Sequence, residues 1–262
     1  MSEIIDKIKN SLIELKSDYG MLGIKSELET EGADFEDIRI LKSLADSIGT
    51  DLVVKIGGCE AVNDLIQLKQ FGIKSIVAPM IESDYAVKKF ITAITRIYTP
   101  EEISNMKLYI NIETISGYKM LKEICKVASG GNLSGIVLGR TDMAGSMHLP
   151  GEKINGDEML NIASEIKCAA NNFGLDFIIG GGISLDTEKF LKGLQNLKMF
   201  ETRKVLFDYG VLSENGYAKA ITRAIEFEIL WLEYLLNSGK SLELKYQNRI
   251  SQLKKRLLCS MS

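Results

Sequence analysis

The chain has 262 residues, 45% hydrophobic and 26% charged, with a net charge of −3. That length suits one α/β barrel of about 250 residues with a substantial core, and the acidic balance speaks against a nucleic-acid scaffold, whose domain is usually basic. No uncharged apolar run approaches the roughly 20 residues of a membrane span, and the charges at Glu3, Asp6, Lys7, Lys9, Glu14, Lys16 and Asp18 leave no room for an apolar signal core.

Residues 3–18 begin the chain as an amphipathic helix, with Ile5, Ile8, Leu12 and Leu15 at three- and four-residue steps. Strand and helix patterns then alternate. A strand near Gly23 to Glu27 precedes a helix from the N-cap Asp34 to about Ile48. Leu52 to Ile56 is the second strand, stopping at Gly57-Gly58, and a helix covers about Glu60 to Gln70. Ser75 to Met80 is the third strand, and the helix after it spans about Asp84 to Ile97. Leu108 to Ile112 is the fourth, followed by a helix from Ser116 to about Ala128.

Gly135 to Gly139 is the fifth strand, and a long helix from about Asp157 to Asn172 leads to the sixth, Asp176 to Gly180. A helix near Asp186 to Leu194 leads to Arg203 to Phe207, counted as the seventh. The alternation predicts a mostly parallel sheet covered by helices. The fold expected is a (β/α)8 barrel, its eighth strand merged into the stretch around Tyr19 to Leu28, with a doubly wound open sheet as the alternative.

Two apolar-striped helices end the chain. The first carries Ile221, Ile225, Ile229, Leu232 and Leu236 and breaks at Gly239; the second carries Leu242, Tyr246, Ile250, Leu253 and Leu257. A barrel closes without the second, so its stripe is expected on its own barrel or on a partner subunit. The basic cluster Arg249, Lys254, Lys255 and Arg256 reads as a solvated helix face rather than a membrane contact. Three prolines and no low-complexity tract give no linker to cut at, so 1–262 reads as one domain.

Cys59, Cys125, Cys168 and Cys259 form no Cys-x-x-Cys pair, and the only histidine, His148, completes no zinc spacing. Isolated thiols fit a reducing cytoplasm.

The chemistry is expected at the C-terminal ends of the strands. Glu113 and Asp142 each follow an apolar strand, 29 residues apart. One strand, crossover helix and strand take about that length, which sets the two carboxylates side by side. Hard divalent cations take such oxygen ligands together with substrate oxygens, so the pair is the expected site for Mg²⁺ or Mn²⁺. Asn111 shares the strand face of Glu113 by alternation. Lys55, a cation in a Leu/Val/Ile strand, is expected to hold an anionic substrate group or polarise a carbonyl, ahead of a Schiff-base role. The first strand delivers Glu27, Glu29 and Glu31, and the glycine runs at 57–58 and 180–182 let backbone approach a ligand.

The order of Val77-Ala-Pro-Met-Ile-Glu-Ser, Ile110-Asn-Ile-Glu-Thr and Gly135-Ile-Val-Leu-Gly-Arg-Thr-Asp-Met resembles the HpcH/HpaI aldolase and citrate lyase β-subunit family, within the phosphoenolpyruvate/pyruvate barrels, over about residues 23–226. The resemblance implies a (β/α)8 barrel with a helix often exchanged between subunits, which would be 241–259 here in a homo-oligomer. It implies a metal held by Glu113 and Asp142, and carbon–carbon cleavage or formation next to a 2-oxo acid or thioester. Two positions depart from the family pattern. Lys55 stands where the family usually has Arg, a point charge in place of a planar bidentate grip. Gly32 stands where its aldolases carry a His.

The expected function is therefore a Mg²⁺- or Mn²⁺-dependent lyase or aldolase acting on a small 2-oxo acid or acyl thioester through a metal-stabilised enolate. Glu113 and Asp142 hold the metal, Lys55, Arg140 and Gly139 the substrate, and Glu29 or Glu31 moves protons alongside Lys55. The alternatives are phosphoryl or carboxyl chemistry on a pyruvate-like substrate, and a non-catalytic metabolite-binding barrel.

Overall fold

Eight strands of the described residues close into one barrel in sequence order. They are β1 (Met21–Glu27), β2 (Asp51–Lys55), β3 (Ser75–Ala78), β4 (Lys107–Ile112), β5 (Gly135–Gly139), β6 (Asp176–Gly180), β7 (Met199–Glu201) and β8 (Val205–Asp208). The structure is a computed structural model that describes residues 2–29, 31–212, 216–239 and 242–259. The side chain of Cys259 and the first residue of the expected exchanged segment, Ser241, lie outside the described residues.

Strands β1 to β7 pair in parallel, but β8 runs antiparallel to both β7 and β1. The strand counted as seventh in the sequence is thus the eighth, and it is reversed. The strand missing from the count is not near Tyr19 to Leu28, where β1 is a single strand, but at Met199–Glu201. It hides because it has three residues and no glycine or proline marks its turn. Instead Thr202 closes the hairpin: its amide donates to the Val205 carbonyl at 2.9 Å, and its Oγ1 accepts from the Val205 amide at 3.1 Å. The reversal has a functional consequence. Arg203 and Lys204 lie at the end of the barrel where β1 to β7 finish, and Asp208 lies at the opposite end.

The helices are α1 (Ser2–Asp18), α2 (Phe35–Ile48), α3 (Val62–Gln70), α4 (Asp84–Ile97), α5 (Pro100–Ser104), α6 (Ile115–Lys119), α7 (Leu121–Gly130), α8 (Arg140–Ser146), α9 (Asp157–Asn172), α10 (Glu188–Gly193), α11 (Tyr217–Asn237) and α12 (Glu243–Cys259). Asp34 starts α2 with a capping box, as its position before the periodic run predicts. The one helix expected from Ser116 to Ala128 is two, broken at Met120. Among the described residues no helix is long and apolar enough to cross a membrane.

Side chains alternate across each strand. Outward residues such as Ile24, Val54, Ile76, Ile110, Ile136 and Ile179 pack under the helices in one core. Inward residues Val53, Val77, Tyr109, Val137, Ile178 and Leu206 fill the barrel axis as a separate cluster, with Met199 against them. One layer nearer the mouth the inward residues include the charged Lys25, Lys55 and Glu201 beside the neutral Asn111 and Gly139. α12 folds back along α11, with Tyr246, Ile250 and Leu253 buried and Arg249 paired to the buried Glu228 at 2.7 Å.

Candidate active site

The mouth holds a cavity of about 340 Å³. Its inner wall carries Lys25 and Glu27 from β1, Lys55 from β2, Asn111 and Glu113 from β4, Gly139 from β5 and Glu201 from β7. Asp142, in the first turn of α8, lines the same cavity and is exposed to it. The structure therefore brings together Lys55, Gly139, Glu113 and Asp142, four of the residues singled out from sequence.

Glu113 is only 2% exposed, and its carboxylate is satisfied by N–H donors. The amide of Met80 donates to Oε1 at 2.9 Å, and Asn111 Nδ2 donates to Oε2 at 2.9 Å. Met80 gives that amide from a left-handed conformation, φ 51°, which costs a non-glycine residue energy and here aims a donor at the site. Gly139 is small for a steric reason: a Cβ there would lie 2.6 Å from Glu113 Oε2. Asn111 Oδ1 is buried with no hydrogen-bond partner.

Lys55 Nζ sits 3.7 Å from Glu27 Oε1 and 3.7 Å from Glu113 Oε2. Burial works against its charge, but Glu27, Glu113, Asp142 and Glu201 outweigh burial and hold the ammonium above the usual lysine range. A Schiff base needs the neutral amine, so this lysine is built as a fixed positive charge.

Lys25 and Glu201 form a buried ion pair across the antiparallel strand β8. Burial pushes the Glu201 carboxyl up, against the pull of Lys25. Sequence reasoning missed both residues. Lys25 had a signal: it stands two residues before Glu27 in an otherwise apolar strand. Glu201 had none once β7 was missed.

Glu27 carries the opposite shift. Burial works against its charge, yet Lys25, Lys55, Arg203 and Lys204 together hold its carboxyl below the usual range. A lowered folded pKa gives stability that is present above the unfolded value of about 4.3 and lost as pH falls through the folded value. Glu27→Gln is expected to be less stable at neutral pH and to lose less stability on acidification. Urea unfolding of both proteins at pH 7 and in mild acid checks this; equal acid limbs would refute it.

The remaining expected residues lie elsewhere. Glu31 is locked by Arg203 at 3.2 Å and by Lys204. Glu29 lies against the Gly57-Gly58 turn in a separate surface groove. Neither lines the mouth cavity. Gly32, at φ 68°, presses against Leu242 so closely that a Cβ would meet Cδ1 at 2.5 Å.

Arg140 is fully buried and does not line the cavity. Its guanidinium donates to the carbonyls of Gly180, Gly181 and Ile154 and to Asn155 Oδ1, and it stacks on Phe190 with 4.5 Å to the ring centre. Burial lowers its pKa to about 10. It thereby fixes the glycine turn after β6. His148 lies in the loop after α8, outside the cavity lining, and Cys59, Cys125 and Cys168 are free thiols.

The donor set fits a hard divalent ion. Glu113 and Asp142 supply carboxylate oxygens, and Asn111, whose Oδ1 has no hydrogen-bond partner, lines the same cavity. Among the described residues no group of three or more His, Cys, Asp and Glu side chains is placed to hold a metal. The remaining ligands would be substrate and water oxygens, as is usual for Mg²⁺.

The barrel resembles solved structures at low sequence identity. Citrate synthase SbnG superposes with a TM-score of 0.60 at 18% identity, covering 85% of this chain and 89% of that one. An HpcH/HpaI aldolase from Desulfitobacterium hafniense DCB-2 gives 0.60 at 12% identity, covering 84% and 88%. An HpcH/HpaI aldolase/citrate lyase family protein from Burkholderia cenocepacia J2315 gives 0.58 at 14%, covering 74% and 83%. No curated protein matches the chain. These likenesses establish the fold. The family model for HpcH/HpaI aldolase/citrate lyase matches residues 40–197, more than half of the chain, and with that match the chain belongs to the HpcH/HpaI aldolase/citrate lyase family.

Proposed function

We propose that this lyase-type barrel enzyme makes or breaks a carbon–carbon bond beside the carbonyl of a small 2-oxo acid or acyl thioester, with Mg²⁺ or Mn²⁺ as cofactor. The observation that carries the reading is the mouth layer itself: Glu113, Asp142 and the unpartnered Asn111 oxygen beside a lysine held fully charged. Glu113, Asp142 and Asn111 would hold the ion, whose chemistry is that of a Lewis acid for an oxygen gaining charge. Lys55 sets a fixed positive charge against the substrate carboxylate or the developing enolate oxygen. Gly139 leaves room for the Glu113 carboxylate in the cavity wall.

The proton-transfer role expected of Glu29 and Glu31 moves to Glu201. It lines the cavity, and burial favours its protonated form, so its carboxyl is poised to exchange a proton nearer neutrality than an ordinary glutamate. Lys25 holds it in place. Arg140 keeps the floor of the cavity in shape through Gly180 and Gly181.

The test is calorimetric titration of metal-stripped protein with Mg²⁺ or Mn²⁺, with and without pyruvate or oxalate. Metal that tightens the oxo acid supports the chelating site; absence of metal binding refutes it.

We also propose a homo-oligomer in which a second copy covers the outer face of α12, where Leu244 and Leu258 stand exposed, with exchange of α12 between copies as one arrangement. Light scattering giving a monomer mass at micromolar concentration would rule this out.

A further inference from the structure

A second cavity, of about 520 Å³, lies between α11, α12 and the residues that follow β1. Its α11 wall is Trp231, Leu232 and Leu235, all buried. With Glu228 they fall at i, i+3, i+4 and i+7, on one face of the helix. Across from them stand Lys245, Asn248, Arg249 and Gln252 of α12, polar side chains around the buried Tyr246. An apolar face of α11 thus meets a mostly polar face of α12, and the space between them is left open. Protein interiors leave few holes larger than a water molecule. An apolar-walled cavity of about 150 Å³ already takes up benzene.

The cavity adjoins the mouth, with which it shares Arg203 and Arg249. Arg203 gives Nε to Glu31 at 3.2 Å, and Arg249 holds Glu228 at 2.7 and 3.2 Å. Lys204, also in the wall, pairs with the same Glu31. The charges at the junction are therefore matched by acids of this chain. The apolar wall of α11 is the part of the cavity that a ligand would complement. A guanidinium whose edge holds a carboxylate still offers its face to a ring.

A carbon–carbon lyase handles two fragments, and the oxo acid at Glu113, Asp142 and Lys55 is one of them. Cleavage of a 4-hydroxy-2-oxo acid breaks the C3–C4 bond. The 4-hydroxyl gives its proton to a mouth carboxylate, and C4 becomes the carbonyl carbon of an aldehyde. The electron pair of the bond passes into the enolate of the oxo acid, and return of the proton to C3 completes pyruvate. Whatever C4 carries must extend beyond the mouth.

We infer that C4 carries an apolar body of about the size of an aromatic ring, which lies between α11 and α12 against Trp231, Leu232 and Leu235. This deepens the proposed 2-oxo acid chemistry and rests on it. The second product is then a hydrophobic aldehyde.

The test uses two acids that lack the 4-hydroxyl and so cannot be cleaved: 2-oxobutanoate, and 2-oxo-4-phenylbutanoate, which adds one ring at C4. Both are titrated into the full-length protein with Mg²⁺ present. The phenyl acid is expected to bind about tenfold or more tighter, the scale of taking one aromatic ring out of water. It is also expected to change the emission of Trp231, the only tryptophan of the chain, and to be displaced by pyruvate. Leu235→Phe fills the cavity from the α11 side and Gln252→Phe from an exposed position on α12; each is expected to bring the ratio of affinities toward one. Equal affinities in the wild type would overturn the inference. So would unchanged Trp231 emission at saturation, binding that pyruvate does not displace, or a ratio that survives in a filled variant melting cooperatively. Glu113→Gln separates the two readings. If the wild type shows the phenyl gain and Glu113→Gln leaves metal-tightened pyruvate binding intact, the chelating end is wrong and the apolar subsite stands. If the gain is absent while Glu113→Gln abolishes that binding, the reverse holds.

Discussion

Glu113→Gln is expected to remove metal-tightened binding of the oxo acid and to lower turnover by more than about 100-fold, a loss that outer-shell changes at metal sites already approach. The fold is expected to survive, and the hydrogen bonds say why. The new side chain keeps one oxygen to accept the Met80 amide, as Oε1 does now at 2.9 Å. Its amide nitrogen can donate to Asn111 if that side chain turns over and presents the oxygen now left without a partner. Every group stays satisfied, so the stability change should stay within about 1 kcal/mol. What disappears is the negative charge, and with it one of the two anions 3.7 Å from Lys55. Asp142→Asn, at an exposed position, should cause a similar functional loss with still less effect on folding. Calorimetry for metal and oxo acid, turnover and thermal melts on the two variants decide the matter. Metal-dependent turnover unchanged in Glu113→Gln would sink the assignment.

The parts of this site legible in the sequence are those carried by long, regular strands. Lys55, Asn111, Glu113 and Gly139 follow from two-residue alternation in apolar runs, and their mouth position follows from parallel βα order. The illegible parts depend on a short strand and on non-local packing. A three-residue β7 hid Glu201 and reversed the sense of β8, which moved Arg203 and Lys204 to the mouth and Asp208 away from it. Glu29 and Glu31 follow β1 in irregular backbone, where no period says which way a side chain points; Glu31 is captured by cations from the β7–β8 turn that lie 172 residues away or more. The glycine at 32 reads from sequence only as a missing histidine. In the fold it is the left-handed contact that seats Leu242 and the start of α12. The same helix shows the limit of local reading: a basic run that looks like a solvated face divides into outward lysines and cavity-lining arginines only once α12 is laid on α11.

Glu201→Ala is expected to be the most damaging single change to stability. Lys25 is 5% exposed, and Glu201 is its hydrogen-bond partner inside the barrel. Removing the carboxylate leaves an ammonium in the interior with only the field of Glu27 and other charges around it, and breaking a buried pair from one side costs about 3–5 kcal/mol. For a domain of this size each kcal/mol moves Tm by roughly 2–4 °C, so a drop of about 10 °C is expected. Removing both charges, as in Lys25→Met with Glu201→Leu, should recover most of it, because no ion is then stranded and the side chains join the apolar axis cluster below them. Glu201→Gln separates folding from chemistry. It still accepts a hydrogen bond from Lys25 but cannot exchange a proton, so it should melt higher than the alanine variant. Turnover should fall by about 10²-fold or more, the range of a lost general acid or base. Thermal melts and turnover on the set give the answer. An alanine variant as stable as the wild type would mean that Lys25 is not held by Glu201. A glutamine variant with full turnover would mean that the proton moves through another group at the mouth, with Glu27 the next carboxylate in the cavity wall.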